Sequence, residues 1–178
     1  MPENREKPAN IVLEGFMGVG KTTIGKAVAE LLSYRFTDTD EEVREMAGKS
    51  IHDMLVDGEL PLVREWESRV CRALSDVSDT VIATGGGVFT VPENAAALRR
   101  RSFVVCLDRD FDVIYPLISG DPVRTMAYGK SYAELKQLLD SRKPMYEGNA
   151  DLVIRVGEIG ETAERIVDAY RKVLDSEK

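Results

Sequence analysis

One stretch, Gly15-Phe16-Met17-Gly18-Val19-Gly20-Lys21-Thr22, constrains this chain more than any other. It matches G-x-x-x-x-G-K-[ST] in full. It follows the apolar run Ile11-Val12-Leu13 and precedes Lys21 to Leu32, where Ile24, Ala27, Val28, Leu31 and Leu32 recur at helical spacing. Strand, glycine turn and helix in that order make a phosphate loop. Backbone N–H groups must wrap an anion closely, so Gly15, Gly18 and Gly20 remove side chains that would block the approach. Around them Val19 and Thr23 complete the loop, Lys21 would reach the outer phosphates, and Thr22 would offer its hydroxyl to Mg²⁺. The helix adds its positive dipole end toward the anion. The motif points to a nucleoside triphosphate with Mg²⁺ and is silent on what accepts the phosphate.

The rest of the chain agrees with that frame. Apolar runs at Arg35 to Asp38, Thr80 to Ala83, Phe103 to Leu107 and Leu152 to Ile154 alternate with amphipathic stretches. Ser50 with Asp53, and Ser131 with Glu134, read as capping boxes. A helix is expected from about Leu62 to Leu74, another from Pro92 toward Arg99, one from Ser131 toward Arg142, and a last from Glu161 to Leu174. Alternation of this kind predicts an α/β fold with a five-stranded parallel sheet flanked by helices on both faces. Ligands then bind beyond the carboxyl ends of the strands.

The 178 residues carry 24 Lys+Arg against 31 Asp+Glu, a net charge of −7, which argues against nucleic acid or an anionic membrane as partner. The length suits one domain, residues 1–178, with 1–9 as a flexible tail. The polar start lacks the apolar core of a signal peptide, and Cys71 and Cys106 lie far apart outside any CxxC pattern. A cytoplasmic, disulfide-free monomer is expected.

Three further clusters bear on the acceptor. Asp38-Thr39-Asp40 closes the second strand, and residues two apart in an extended chain share a face. One acid could support Mg²⁺ while the other takes a proton from a hydroxyl, but Asp40 reads equally as the cap of a helix beginning at Glu41. Gly85-Gly86-Gly87 ends the third strand, where each glycine costs about 0.5–1 kcal/mol relative to Ala. Bare N–H groups facing a small polar ligand are a use for it; a plain turn is the other reading. Arg64, Arg124 and Arg142 could each be surface residues paired with a neighbour, Arg64 with Glu67 for example.

Taken together, Gly15 to Thr23, Asp38-Thr39-Asp40, Arg64, Gly85-Gly86-Gly87, Arg124, and Arg142 before Pro144 and Tyr146 resemble shikimate kinase, over nearly the whole chain. The resemblance implies a P-loop kinase fold and phosphorylation of the 3-hydroxyl of shikimate, a small hydroxylated carboxylate, by Mg·ATP. It implies that Asp40 holds the reacting hydroxyl and that Asp38 touches Mg²⁺ through water. It makes Arg64 and Arg142 a clamp on the substrate carboxylate, with Gly85, Gly86 and Gly87 cradling the acceptor. Arg124 becomes the arginine of a lid near 119–131 that reaches ATP phosphates, and about Asp40 to Leu74 a substrate-binding helical segment.

The chain departs from the family pattern in three places. Gly58-Glu59-Leu60-Pro61-Leu62-Val63-Arg64 has one extra residue and Val63 for an expected Phe. Arg124 is followed by Thr125-Met126-Ala127 instead of Pro-Leu-Leu. Leu117 stands where many members carry an adenine-packing arginine. These changes keep open a kinase for another hydroxylated acid, such as gluconate, and a catalytically idle nucleotide-binding regulator. Phe103 to Asp108 also resembles a Walker B strand, which would let Asp108 compete with Asp38 for the metal; Asp108 is read instead as capping the helix from Asp110. His52 is read as a solvated residue, Trp66 as partial core, and Met126 and Met145 as packing.

Overall fold

A computed structural model describes residues 6–176. Strands β1 (Asn10–Glu14), β2 (Arg35–Asp38), β3 (Thr80–Ala83), β4 (Ser102–Asp108) and β5 (Leu152–Arg155) form a sheet in the order β2-β3-β1-β4-β5. Every neighbouring pair is parallel. All residues of β1 and β3 are buried, as continuous apolar strands must be when helices cover both faces. Around the sheet lie α1 (Lys21–Leu32), α2 (Thr39–Ala47), α3 (Ile51–Val56), α4 (Leu60–Leu74), α5 (Pro92–Arg99), α6 (Phe111–Ser119), α7 (Tyr132–Asn149) and α8 (Ile159–Ser176). Helix α1 packs on α8, and α4 packs on α2 and α5.

The register matters most for function. Leu13 lies opposite Ala83, and Asp38 also lies opposite Ala83, so the carboxyl ends of β1, β2 and β3 finish level with one another. The phosphate loop, the acid triplet and the glycine turn therefore open onto one edge of the sheet, side by side.

Several local expectations need correction. Helix α2 begins at Thr39, and its cap is Asp38, whose Oδ1 accepts from the Asp40 N–H at 3.1 Å, so Asp40 is not the cap. Asp108 does not cap α6 either; Asp110 occupies that position, and Asp108 pairs with Lys143 at 3.4 Å. Helix α4 starts at Leu60 because Pro61 fits the first turn of a helix. Helix α7 opens on the expected Ser131–Glu134 box but runs through Pro144 to Asn149. Residues 6–9 are held down, with the Glu6 and Ala9 N–H groups donating to the carbonyls of Arg100 and Arg101 at 2.9 and 2.8 Å. The remainder of the expected tail, residues 1–5, lies outside the described residues.

Both cysteines are buried free thiols, each pushed up to about 12 by desolvation, which agrees with the disulfide-free reading.

Candidate active site

The phosphate loop hangs from the core by two side chains. Phe16 and Val19 are each 2% exposed, which turns the glycine backbone outward. Gly20 takes φ 106° at the start of α1, a left-handed conformation that glycine adopts without strain. Helix α1 has neither a side-chain cap nor an acidic residue in its first turn, leaving its N–H groups for an anion. Lys21 Nζ donates to the carbonyls of Gly15 and Phe16 at 2.7 and 2.9 Å. Desolvation lowers its pKa to about 8, against the raising influence of Asp40 and Asp38. Thr23 is exposed on the same first turn.

The Thr22 hydroxyl donates to Asp38 Oδ2 at 2.9 Å. A hydroxyl and a carboxylate in contact beside a phosphate loop are hard oxygen donors of the kind Mg²⁺ takes together with substrate phosphates. Among the described residues no group of three His, Cys, Asp or Glu forms a separate metal cage. The donor set therefore fits a cation that arrives with the nucleotide. Asp38 touches Thr22 directly, whereas Asp108 is paired with Lys143, which favours Asp38 over the Walker B alternative.

Beyond the loop opens a cavity of about 570 Å³. Thr22, Asp40, Arg64, Gly85 to Gly87, Arg124 and Arg142 all line it, so residues 120 positions apart in the chain meet in one space. Thr39 is the hinge of this arrangement: its side chain is buried, and its hydroxyl accepts from the Gly85 N–H at 2.8 Å. That bond fixes the glycine turn to the acid triplet. Asp40 faces the cavity interior, and the walls around it push its carboxyl up to about 6, first by desolvation and then through Asp38 and Glu67. A Cβ on Gly85 would stand 2.5 Å from Asp40 Oδ1. On Gly87 it would run into the Arg64 guanidinium. The costly triple glycine exists because two charged side chains lie directly against the turn.

The arginines are both paired and turned inward. Arg64 Nη1 meets Glu67 Oε2 at 2.6 Å, and Glu67 is only 5% exposed. Arg142 Nη1 donates to the Gly86 carbonyl at 3.2 Å, and the Tyr146 hydroxyl donates to the same oxygen at 2.5 Å. Arg124 sits in the segment between α6 and α7, its Nε 3.2 Å from Asp121 Oδ2. Leu117 is 52% exposed and lies outside the cavity lining.

Three residues carry more than the sequence revealed. Glu67, named there only as a neighbour of Arg64, is a buried anion between Arg64 and Arg142, and burial raises its pKa. His52 is not a solvated residue: its Nδ1 lies 2.7 Å from Thr125 Oγ1 and 3.2 Å from the Val123 carbonyl oxygen. Glu14, the last residue of β1, is fully buried with neither carboxylate oxygen hydrogen-bonded. The only signal for it is an acid ending an apolar strand. Met126 lines the cavity, and Met145 is 37% exposed.

Comparison with known proteins gives one consistent result. A family model described as shikimate kinase matches residues 17–174. The shikimate kinase of Geobacter sulfurreducens is 38% identical over 159 residues, covering 89% of this chain and 86% of its own length. That of Caldanaerobacter subterraneus subsp. tengcongensis is 38% identical over 167 residues, covering 92% and 97%. The solved shikimate kinase from Acinetobacter baumannii in complex with shikimate superposes with a TM-score of 0.87 at 30% identity, covering 94% of this chain and 95% of its own.

Proposed function

Because the chain belongs to the shikimate kinase family, we propose that its cavity transfers the γ-phosphate of ATP to the 3-hydroxyl of shikimate, with the residues named above in the following roles. Arg64 and Arg142 hold the acceptor carboxylate. A guanidinium presents a planar fork to a carboxylate, and both forks are anchored in advance, by Glu67 and by the Gly86 carbonyl. The acceptor is thereby oriented toward Asp40, which lies between this anion site and the phosphate loop. A carboxyl near 6 is mostly ionised at neutral pH and still basic enough to accept a proton.

The step balances simply. The acceptor O–H bond gives its proton to Asp40 while its oxygen forms a bond to the γ-phosphorus. The bond from that phosphorus to the β-phosphate oxygen breaks, and ADP leaves. Lys21 and Arg124 offset the charge spread over the moving phosphoryl group, so the protein contributes mostly position and fixed charge. Mg²⁺, held through Thr22 and Asp38, supplies further neutralisation of the phosphates when bound. Gly18, Val19, Gly20 and Thr23 complete the nucleotide seat.

The observation that carries this reading is Asp40, which shares one cavity with Thr22 of the phosphate loop and with the Arg64–Glu67 pair and feels the charge of Lys21. The same proposal makes the protein a cytoplasmic enzyme acting as a single chain on small molecules. Its test is ADP release from Mg·ATP with and without shikimate, run beside gluconate, quinate and a nucleoside monophosphate. Stimulation by shikimate alone is expected; stimulation by gluconate instead, or nucleotide binding with no turnover, would overturn it. Lys21→Ala should abolish turnover and leave the fold.

A further inference from the structure

The segment from 120 to 131, between α6 and α7, roofs the cavity with Asp121, Val123, Arg124, Thr125 and Met126. Its backbone bonds stay local: Arg124 N–H to Asp121, Ala127 and Tyr128 N–H to Arg124, Lys130 N–H to Ala127. Gly129 N–H reaches Ser119 and the Tyr115 hydroxyl reaches the Lys130 carbonyl, both at the base of the roof. Among the described residues, the hydrogen bonds from the roof to the far wall converge on His52 in α3. Its Nδ1 meets Thr125 Oγ1 at 2.7 Å and the Val123 carbonyl at 3.2 Å. A carbonyl only accepts, so the proton belongs on Nδ1 and the ring donates. These two contacts bracket Arg124 in sequence, one residue to either side.

We propose that His52 is a positioning residue for phosphoryl transfer, fastening the roof across the cavity so that Arg124 is held over the phosphates. The proposal rests on the kinase reading above. A loop carrying a transition-state charge needs a fixed address, because displacement by about 1 Å can cost two orders of magnitude in rate. Internal bonds shape the roof but do not set its height above the floor; His52 does. It also joins the two halves of the reaction, since α3 belongs to the acceptor wall and Arg124 to the nucleotide side.

The test compares His52→Ala, Thr125→Val, the double variant, and each with Arg124→Ala, by steady-state kinetics with shikimate and Mg·ATP. His52→Ala and Thr125→Val should each lower kcat about three- to tenfold, the range one hydrogen bond carries, with KM for shikimate unchanged. The double variant should lose no more than the larger single loss. In the Arg124→Ala background, His52→Ala should cost nothing further. His52→Asn, whose amide nitrogen can stand where Nδ1 stood, should recover part of kcat, and Thr125→Ser should keep it. Additive losses, a His52 effect that persists without Arg124, or a rise in KM for shikimate at unchanged kcat would overturn the proposal. Melting temperatures separate these outcomes from misfolding, and the two conservative variants keep the test alive if the alanine variant fails to fold. A wild-type enzyme without shikimate-dependent turnover would remove the kinase reading and this proposal with it.

Discussion

Glu67 holds Arg64 at 2.6 Å from inside the protein, while the other side of the guanidinium faces the cavity. The carboxylate is nearly sealed from water, so the pair behaves as a preformed half of an anion site. Removing it leaves Arg64 without its anchor. Truncating one partner of a desolvated pair costs about 2–5 kcal/mol. Glu67→Ala should therefore raise KM for shikimate by at least tenfold with KM for ATP little changed, and lower the melting temperature. Unchanged KM for shikimate would show that Arg64 needs no such support.

Asp40 gives the acid limb of the pH profile. Its carboxyl is raised to about 6, and only the ionised form accepts a proton, so activity should fall as pH drops through that value. Lys21 is lowered to about 8, so its charge is lost as pH rises through that value. With both substrates well below saturation, kcat/KM should be bell-shaped, with limbs near those two values. Asp40→Asn should lose about 10²–10⁴ in kcat and keep its fold. A profile flat from pH 5 to 7 would count against Asp40 as the base.

The glycine turn separates two effects by two residues. Gly85→Ala drives a methyl group against Asp40 Oδ1, and Gly87→Ala drives one against the Arg64 guanidinium. Both neighbours are side-chain ends that can move aside, so neither variant should lose the fold. The first should chiefly reduce kcat; the second should chiefly raise KM for shikimate. The same kinetic signature from both variants would mean that the turn acts as a unit.

Glu14 sets a stability prediction. Burial raises its pKa from an ordinary 4.5 to about 9, so the folded chain keeps a proton that the unfolded chain releases. For a raised pKa, the stabilisation is complete below the unfolded value and is lost as pH rises through the folded one. Between about pH 5 and 9 the native state binds more protons, and stability should fall with increasing pH. Glu14→Gln carries no such proton, so its melting temperature should exceed wild type by several degrees at pH 8 and differ little at pH 4.5. Parallel melting curves across that range would show that Glu14 does not titrate this way.

Much of this molecule was readable from residue spacing because the signals were local. The phosphate loop, the Ser50 and Ser131 caps and the alternating strands each declare themselves within a few residues. The resemblance brought Asp40, Arg64, Arg124 and Arg142 to one site, and the cavity contains all four. What escaped notice depends on tertiary neighbours. The helix is expected only toward Arg142, yet α7 continues through Pro144 although an interior proline costs about 3 kcal/mol, and Tyr146 and Arg142 on either side of it both bond to the Gly86 carbonyl. His52 reads as solvated because its partners lie 71 and 73 residues away. In sequence Asp40 reads as the cap of a helix from Glu41; the helix begins at Thr39 instead, so Asp38 takes the cap and Asp40 is left facing the cavity.

Helix α7 spans 18 residues, about 27 Å at 1.5 Å per residue. Its capped end begins where the roof ends, and its other end braces the glycine turn. It works as a spacer rod whose length is set by its own hydrogen bonds and not by the loop before it. Changes in the roof leave the reach from the sheet to Arg142 untouched. Thr125-Met126-Ala127 can then replace the family's usual residues while Arg142 keeps its place beside the Gly86 carbonyl. In this architecture the roof over the cavity can change while the span from the sheet to Arg142 stays fixed.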